Sequence, residues 1–161
     1  MRFHAEHHIA GPVRAVAALL VDSAFYLGLA LPDLGLPQVI EEGSEGDQAT
    51  LRLRYEYVGS LDPIAQRLLG SSRLAWIQEV RVDQSSGIGV LQFEAEKDPK
   101  RLHGTANFAL TEAGGGTLRR INGELVVAVP GIGRMAERRI VPGLLRRMDI
   151  EAQAMDDELS R

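Results

Sequence analysis

The sequence has no cysteine, only one tryptophan and no excess of basic residues. The absence of cysteine excludes disulfides, thiolate zinc sites and cysteine nucleophiles, and it suits a reducing compartment. The net charge of −4 argues against a nucleic-acid partner, because proteins that bind nucleic acids usually carry a basic stripe. The longest apolar stretch, Val13–Val21, is interrupted by Arg14 and is too short to span a membrane. We therefore expect a cytoplasmic protein without integral membrane contact.

What is present is the composition of an ordinary globular protein. Apolar residues make up 45% of the 161 positions and charged residues 25%, which is close to the average for soluble domains. A chain of this length can bury enough surface for one hydrophobic core. No internal repeat or low-complexity linker divides it, so residues 1–161 are predicted to form one domain.

The chain begins with a pattern typical of one strand followed by two short helices. Residues Arg2–Ile9 alternate between apolar and polar side chains, which predicts a half-buried strand with His7 on its apolar face. A glycine and Pro12 end this strand and open a helix, because proline lacks only an N–H that the first helical turn leaves unpaired. Helical spacing over Val13–Val21 predicts the first helix, and a second short one follows through Leu29.

Six further strands are predicted, separated by clusters of glycine, serine, aspartate and proline. The links between the last four, QSSG, KDPK and the triple glycine at 114–116, are so short that these strands must pair antiparallel, because a parallel crossover needs about a dozen residues. The turn-rich GSEGD at 43–47 joins the first two of these strands, and Asp62 opens a short amphipathic segment after the second. The predicted strands are Val39–Glu42, Ala49–Val58, Arg73–Asp83, Ile88–Glu96, Leu102–Thr111 and Thr117–Val129.

From Gly133 to the end the period changes to 3.6, which predicts one long helix with an apolar stripe. Pro142 removes a helical hydrogen bond, and arginines stand early and acidic residues late, against the helix dipole. Such a helix is weak alone and must be held by its stripe against the sheet. Two interpretations of Pro142 stay open: a kink that gates a cavity, or a static kink that fits the helix to a curved sheet. The stripe comprises Ile140, Leu144, Met148, Ala152, Met155 and Leu159.

This order of elements is similar to the START-like, or helix-grip, superfamily, which contains the birch-pollen allergen and polyketide cyclases. Three segments carry the resemblance: FHAEHHIAGPVRAVAALLVD, GTANFALTEAGGGTLRRINGELVVAVPGIG and RMAERRIVPGLLRRMDIEAQAMDDEL. The last two resemble most a family of uncharacterised bacterial domains within it. The resemblance implies an α+β helix-grip fold: a curved seven-stranded antiparallel sheet, two short helices after strand 1, and a long C-terminal helix across the sheet. It also implies a cavity for an apolar ligand between sheet and helix, whereas function varies widely on this fold.

Alternation along the strands and the helical stripe indicate which residues would border such a cavity, although each could instead fill a dry core. Gln78 is a polar residue on an apolar face, and His7 is either a satisfied core histidine or a group that orients the ligand. Glu137 and Glu151 fall on the helical stripe and would either bond a neighbour such as Tyr55 or His7, or meet the ligand. The candidates are His7, Tyr55, Tyr57, Trp76, Gln78, Phe93, Phe108, Leu144, Met148 and Glu151.

Other patterns predict no site. PGIGRMA after ELVVAV imitates a dinucleotide-binding fingerprint, but no second parallel strand follows it. His4, His7 and His8 cannot converge on a metal, because His7 points to the opposite face of its strand. No GxSxG motif is present, and the GSS at 70–72 has no assigned base. The strand arginines alternate with acidic residues and are expected on a solvated sheet face: Arg52, Arg54, Arg81, Arg119 and Arg120.

Three functions are consistent with these predictions. The first is a carrier or sensor of a small apolar molecule, lipid- or polyketide-like, with no cofactor, no metal and no defined catalytic residue. The second is a cyclase or hydratase that uses His7, a tyrosine or an inward glutamate as general acid or base. The third is an interaction module that docks through the 59–72 segment, where Ile64, Leu68 and Leu69 could be exposed. The oligomeric state is not predicted.

Overall fold

The computed structural model describes residues 1–69 and 73–161, without the side chains of residues 68 and 69. Within this part of the chain, seven strands and four helices follow one another in the predicted order, and the amphipathic segment after Asp62 forms one of the short helices. The strands are β1 (Arg2–Ile9), β2 (Gln38–Glu45), β3 (Gln48–Glu56), β4 (Ala75–Asp83), β5 (Ile88–Ala95), β6 (Leu102–Ala113) and β7 (Gly116–Val127). The helices are α1 (Val13–Leu20), α2 (Ser23–Leu27), α3 (Pro63–Leu69) and α4 (Gly133–Leu159).

All seven strands belong to one antiparallel sheet, in the order β1-β7-β6-β5-β4-β3-β2. From β2 to β7, strands that follow one another in sequence also pair. Short links require this between β2 and β3 and from β4 to β7, whereas β3 and β4 are joined through α3. β1 instead pairs with β7, with Ile9 opposite Thr117, because α1 and α2 carry the chain across to the far edge at β2. The predicted α+β class and helix-grip fold are confirmed.

The hydrophobic core lies on one face of the sheet, where α1, α2 and α4 cover it. In β3 the buried residues Ala49, Leu51, Leu53 and Tyr55 alternate with partly exposed polar ones, as the sequence pattern predicts. α1 contacts β4, β6, β7 and α4. One cluster of buried side chains therefore joins the sheet to these helices.

Two glycines bring aromatic rings close to the sheet backbone. Gly104 of β6 lies opposite Phe93 of β5, and Gly89 of β5 lies opposite Phe108 of β6. A Cβ atom at either glycine would stand 2.2 Å from the facing ring. These positions lack a side chain because the rings occupy that space, a recurrent use of glycine within strands.

β2 is longer than the alternation predicted. It continues past Glu42 to Glu45, and the chain turns at Gly46 and Asp47, where Gly46 has a φ of +61°. Every residue of β2 is exposed, and the strand lies at an edge of the sheet. A strand without a buried face has no apolar alternation to detect, and glycine and serine are tolerated there more easily than at its centre.

α4 is continuous from Gly133 to Leu159, although Pro142 lies within it. Its stripe is most deeply buried in the C-terminal part, at Met148 and Met155, and the helix packs on β1 and β7. The acidic residue Asp156 near the end of the helix has a hydrogen-bond partner, since its carboxylate accepts a hydrogen bond of 2.7 Å from the backbone N–H of Ala10. No helix in the described part of the chain is long and apolar enough to cross a membrane.

Candidate functional site

A cleft of about 920 Å³ lies beside the middle of α4. Its walls come from α3 and the segment before it, from the ends of β3, β4 and β5, and from one face of α4. The sheet and this part of α4 are not in full contact, and the gap between them forms the cleft. Apolar and aromatic residues of its wall include Leu34, Leu61, Ile64, Leu74, Trp76, Phe93, Leu102, Leu125, Ile140 and Leu144.

An aromatic platform supports a cationic side chain at the inner end of the cleft. The rings of Tyr55 and Trp76 stack at 5.8 Å between centroids, with 20° between their planes. The Arg147 guanidinium lies 4.8 Å from the Tyr55 centroid and 5.9 Å from that of Trp76. A guanidinium placed over an aromatic face is attracted by its quadrupole and keeps its N–H edge free for hydrogen bonds.

The Tyr55 hydroxyl is fully buried and has no hydrogen-bond partner among the described residues. Burial disfavours the phenolate and raises the pKa of Tyr55 to about 12, against an opposing effect of the Arg147 charge. Tyr55 is therefore a neutral phenol at physiological pH. Its ring lies beneath the Arg147 guanidinium and stacks on Trp76.

Ion pairs neutralise most of the charged residues on the rim of the cleft. Arg139 of α4 donates to the Asp62 carboxylate at 2.7 Å, which joins α4 to the start of α3. The same carboxylate caps α3 through the N–H groups of Ile64 and Ala65, as the sequence predicted. These hydrogen bonds, with Ala65 first and Arg139 second, lower the pKa of Asp62. Further rim pairs join Arg54 to Glu96, Arg73 to Glu56 and Arg101 to Asp98.

A buried charged network fastens the C-terminal part of α4 to the sheet. Arg119 of β7 is 2% exposed, and its guanidinium donates to the Glu151 carboxylate at 2.6 Å and to the Met148 carbonyl at 3.1 Å. It also lies 3.2 Å from Nδ1 of His7 on β1. His7 Nε2 in turn lies 2.9 Å from the Asp149 carboxylate. The network thus links β1, β7 and about one turn of α4, from Met148 to Glu151.

The neighbours of His7 determine its protonation. Nδ1 must accept from Arg119, which only donates, so the proton resides on Nε2 and is donated to Asp149. Burial and the nearby Arg119 charge lower the pKa of His7, against the raising effects of Asp149 and Glu151. Both ring nitrogens of His7 are therefore hydrogen-bonded, as the first of the two interpretations of the sequence expects, and a contact of His7 with a ligand stays a prediction.

The ten candidate residues divide into three groups. Five of them border the cleft: Tyr57, Trp76, Gln78, Phe93 and Leu144. Gln78 and Leu144, with Phe108, Met148 and Glu151, also border a small internal void of about 20 Å³, enough for one water molecule. Tyr55 forms the platform beneath Arg147, and His7 lies in the buried network.

The prediction that Arg119 lies on a solvated face was wrong. Arg119 follows the same alternation as the buried residues Thr117, Ile121 and Leu125 of β7. Its charge suggested solvent, but its position in the strand placed it inward, opposite Glu151. The alternation of inward and outward residues along β7 therefore already indicated that Arg119 is buried. Arg147 was missed as well, although it stands one helical turn after Leu144 and Gly143 on the cleft side of α4.

Glu137 does not reach His7, Tyr55 or the cleft. Its carboxylate accepts a hydrogen bond of 3.0 Å from the Val127 N–H and one of 3.2 Å from the N-terminal amine of Met1. The bond from Val127 is the main reason for the lowered pKa of Glu137. This residue therefore attaches the first turn of α4 to the end of β7.

The 59–72 segment is only partly described. Its Leu61 and Ile64 border the cleft, whereas the side chains of Leu68 and Leu69 and all of 70–72 lie outside the described residues. Docking through this segment stays a prediction. Within the described part of the chain, no group of three or more His, Asp or Glu side chains could hold a metal ion.

The chain matches the family described as "Protein of unknown function (DUF2505)" over residues 4–159, and it belongs to this family. No curated protein sequence matches it.

Solved structures share the fold at low sequence identity. TTHA0849 from Thermus thermophilus aligns with a TM-score of 0.65 and 15% identity, over 99% of this chain and 97% of that one. The Zhui aromatase/cyclase from Streptomyces sp. R1128 aligns with a TM-score of 0.66 and 16% identity, over 100% of this chain and 95% of that one. Ara h 8.0201 aligns with a TM-score of 0.59 and 12% identity, over 96% of this chain and 97% of that one. These likenesses establish the fold alone, and it is the helix-grip fold that the sequence resemblance implied.

Proposed function

We propose that this protein binds a small apolar molecule, lipid- or polyketide-like, in the cleft beside α4, without a defined catalytic step. The observation that carries the proposal is the volume of about 920 Å³ between α4 and the sheet. Small-molecule sites usually measure roughly 300–1,000 Å³ and combine apolar walls with a few polar groups. Trp76, Phe93 and Leu144 would contact the apolar body, and Gln78 and Tyr57 would provide polar contacts.

A cyclase or hydratase is the second candidate, and one structural neighbour favours it, since Zhui is an aromatase/cyclase. Such an enzyme needs a titratable group within reach of the ligand. Glu151 and His7, the candidates from the sequence, are both bound to Arg119 and do not border the cleft. Tyr57 does border it, with its hydroxyl donating to the Ser60 carbonyl at 3.2 Å. The geometry therefore supports binding more strongly than catalysis.

Native mass spectrometry of the protein purified from its own cells tests the proposal. We expect an additional mass of one small molecule, which organic extraction then releases for identification. A ligand recovered unchanged after long incubation supports carriage, whereas its conversion into a product supports the enzyme. A protein free of added mass, with no affinity for any member of a lipid and metabolite panel, would contradict both.

A variant that narrows the cleft locates the ligand. Gly143 borders the cleft, and a Cβ atom there meets no atom within 4 Å, so Gly143→Phe should fold and fill part of the space. Gly43 on the exposed strand β2 is equally unobstructed, which makes Gly43→Phe a matched control. We expect loss of the bound mass in Gly143→Phe only. Equal binding by the two variants would place the ligand elsewhere.

A further inference from the structure

Arg147 is a guanidinium on the wall of the cleft for which the structure provides no anionic partner. Ion pairs hold the rim arginines Arg54, Arg73, Arg101 and Arg139. Arg146 also borders the cleft without an ion pair among the described residues, but its side chain is exposed to solvent. Arg147 has no ion pair among residues 1–69 and 73–161, and its neighbours are the aromatic faces of the platform. A partly buried cation has lost some of its hydrogen bonds to water, and without an anionic protein partner only a ligand or an ordered water molecule can replace them.

The one nearby carboxylate on the next turn of α4 is already used. Glu151 accepts from the buried Arg119 at 2.6 Å. Losing this carboxylate would leave the Arg119 guanidinium buried with an uncompensated charge, which is strongly destabilising. Glu151 therefore belongs to Arg119, and the N–H edge of Arg147 stays free for another acceptor.

Gln78 supplies a second free polar group at the same place. Its side chain is 2% exposed, borders both the cleft and the small void, and has no hydrogen bond in the described part of the chain. Buried amides are normally hydrogen-bonded in the folded state. Gln78 and Arg147 border both the cleft and the small void, and Trp76 borders the cleft with them. The amide and the guanidinium therefore offer two hydrogen-bond donors that no described residue uses, beside an apolar wall.

We infer that the ligand of this cleft is an apolar carboxylic acid, bound as its carboxylate by Arg147 and Gln78. A guanidinium matches a carboxylate because two N–H groups can donate in parallel to its two oxygens. The apolar body would then extend past Phe93 and Leu144. This inference rests on the proposed function and adds the chemistry of one end of the ligand.

The test compares acids with alcohols that have the same body. Decanoic acid is paired with 1-decanol, and 2-naphthoic acid with 2-naphthylmethanol, so the aliphatic and aromatic bodies are tested separately. Binding is measured by calorimetry and, for the aliphatic pair, by the fluorescence of Trp76, the only tryptophan of the chain. We expect at least one acid to bind about tenfold more tightly than its alcohol, as a charge-assisted hydrogen bond would give.

Two variants assign this preference to Arg147. Arg147→Gln should abolish the preference for the acid and leave the affinity for the alcohol unchanged. Arg138→Gln, at an exposed position of α4 outside the cleft, should retain it. Gln78→Leu should reduce the preference by about threefold, and it tests the same site should Arg147→Gln fail to fold.

The outcomes separate the two proposals. Equal affinity for acid and alcohol would overturn the carboxylate site while leaving apolar binding in place. A preference that persists in both Arg147→Gln and Gln78→Leu would overturn the assignment of the site to these residues. No binding of any of the four compounds would overturn the carboxylate site. The proposed function would fall with it only if the purified protein also carried no bound mass and bound no member of the lipid and metabolite panel.

Discussion

The middle part of α4, residues 139–147, and its C-terminal part, residues 148–159, differ in how they meet the sheet. In the C-terminal part Met148, Glu151, Ala152 and Met155 are all buried, and a charged network crosses to Arg119. In the middle part only Val141 is buried, and the helix borders the cleft. One helix with one apolar stripe thus has a closed part and an open part.

This difference shows that an apolar stripe does not by itself determine contact. The same spacing continues through Ile140, Leu144 and Met148, but only Met148 is buried. The closed part also has the polar bonds that require close approach, since Arg119 reaches Glu151 and the Met148 carbonyl. The open part has a cation over aromatic rings, a contact that allows a ligand beside it.

The largest expected effect comes from breaking the network of the closed part. Glu151→Ala should lower the free energy of unfolding by about 3–5 kcal/mol, because it leaves the Arg119 guanidinium buried without its carboxylate. Urea unfolding followed by circular dichroism measures this loss. Glu158→Ala on the same helix, where the side chain is 50% exposed, is the control and should cost less than about 1 kcal/mol. Equal losses in the two variants would mean that the network does not hold α4.

Truncating one apolar side chain in each part compares their packing directly. Met155 is fully buried, so Met155→Ala should cost about 2–5 kcal/mol through lost burial and a residual cavity. Leu144 is partly exposed to the cleft, so Leu144→Ala should cost clearly less, about 1 kcal/mol. Urea unfolding under the same conditions ranks the two. If Leu144→Ala loses as much free energy of unfolding as Met155→Ala, residues 139–147 are packed as tightly as the C-terminal part, and the distinction between the two parts is wrong.

Two glycines of α4 test the open space with a single methyl group. Gly143→Ala should raise the free energy of unfolding by up to about 1 kcal/mol, because alanine favours the helix and its Cβ meets nothing within 4 Å. At Gly133 a Cβ would stand 2.3 Å from the Val127 carbonyl oxygen, so Gly133→Ala should destabilise. Thermal unfolding shows whether each substitution raises or lowers the stability. A destabilised Gly143→Ala would show that the cleft is closed at this point.

The pH dependence of stability is the smallest expected effect. Burial and Arg119 lower the pKa of His7 in the folded protein, so the unfolded chain binds this proton more tightly. The contribution of His7 is thus present above the unfolded pKa of about 6.5 and is lost as the pH falls from there towards the folded value. His7→Gln, which can still accept from Arg119, should lose less stability than the wild type between about pH 7.5 and about pH 5.

The control for this comparison is His4→Gln, on the exposed face of β1, where His4 bonds Asn122 at 2.9 Å. Its decrease of stability with falling pH should match that of the wild type, measured by urea unfolding at each pH. A His7→Gln protein as sensitive to acid as the wild type would show that the proton of His7 is not linked to folding.

The sequence predicted the fold because its patterns are local and strong. The alternation in β1 and β3 and the stripe of α4 each specify which side of an element is buried. The same rules placed Trp76, Gln78 and Leu144 on the side where the cleft lies. β2 was underestimated because an edge strand exposed on both faces shows no alternation.

The position of the cleft along the sheet could not be predicted from the same patterns. Periodicity says which face of α4 turns inward, but the distance between that face and the sheet depends on contacts between remote segments. Arg119 of β7 and Glu151 of α4 lie 32 residues apart, and periodicity does not reveal that they pair. Met148 and Phe108 were therefore predicted on the correct face but lie beside the small void.

The measurement that tests the open and closed parts most directly is a titration of ¹⁵N-labelled protein with decanoic acid, followed by NMR. We expect the largest shifts at residues 139–147 and at Trp76, Gln78 and Phe93, with little change at 151–159 and along β1. Shifts concentrated in the C-terminal part of α4 would contradict the account, as would a uniform spectrum that decanoic acid and the whole ligand panel leave unchanged.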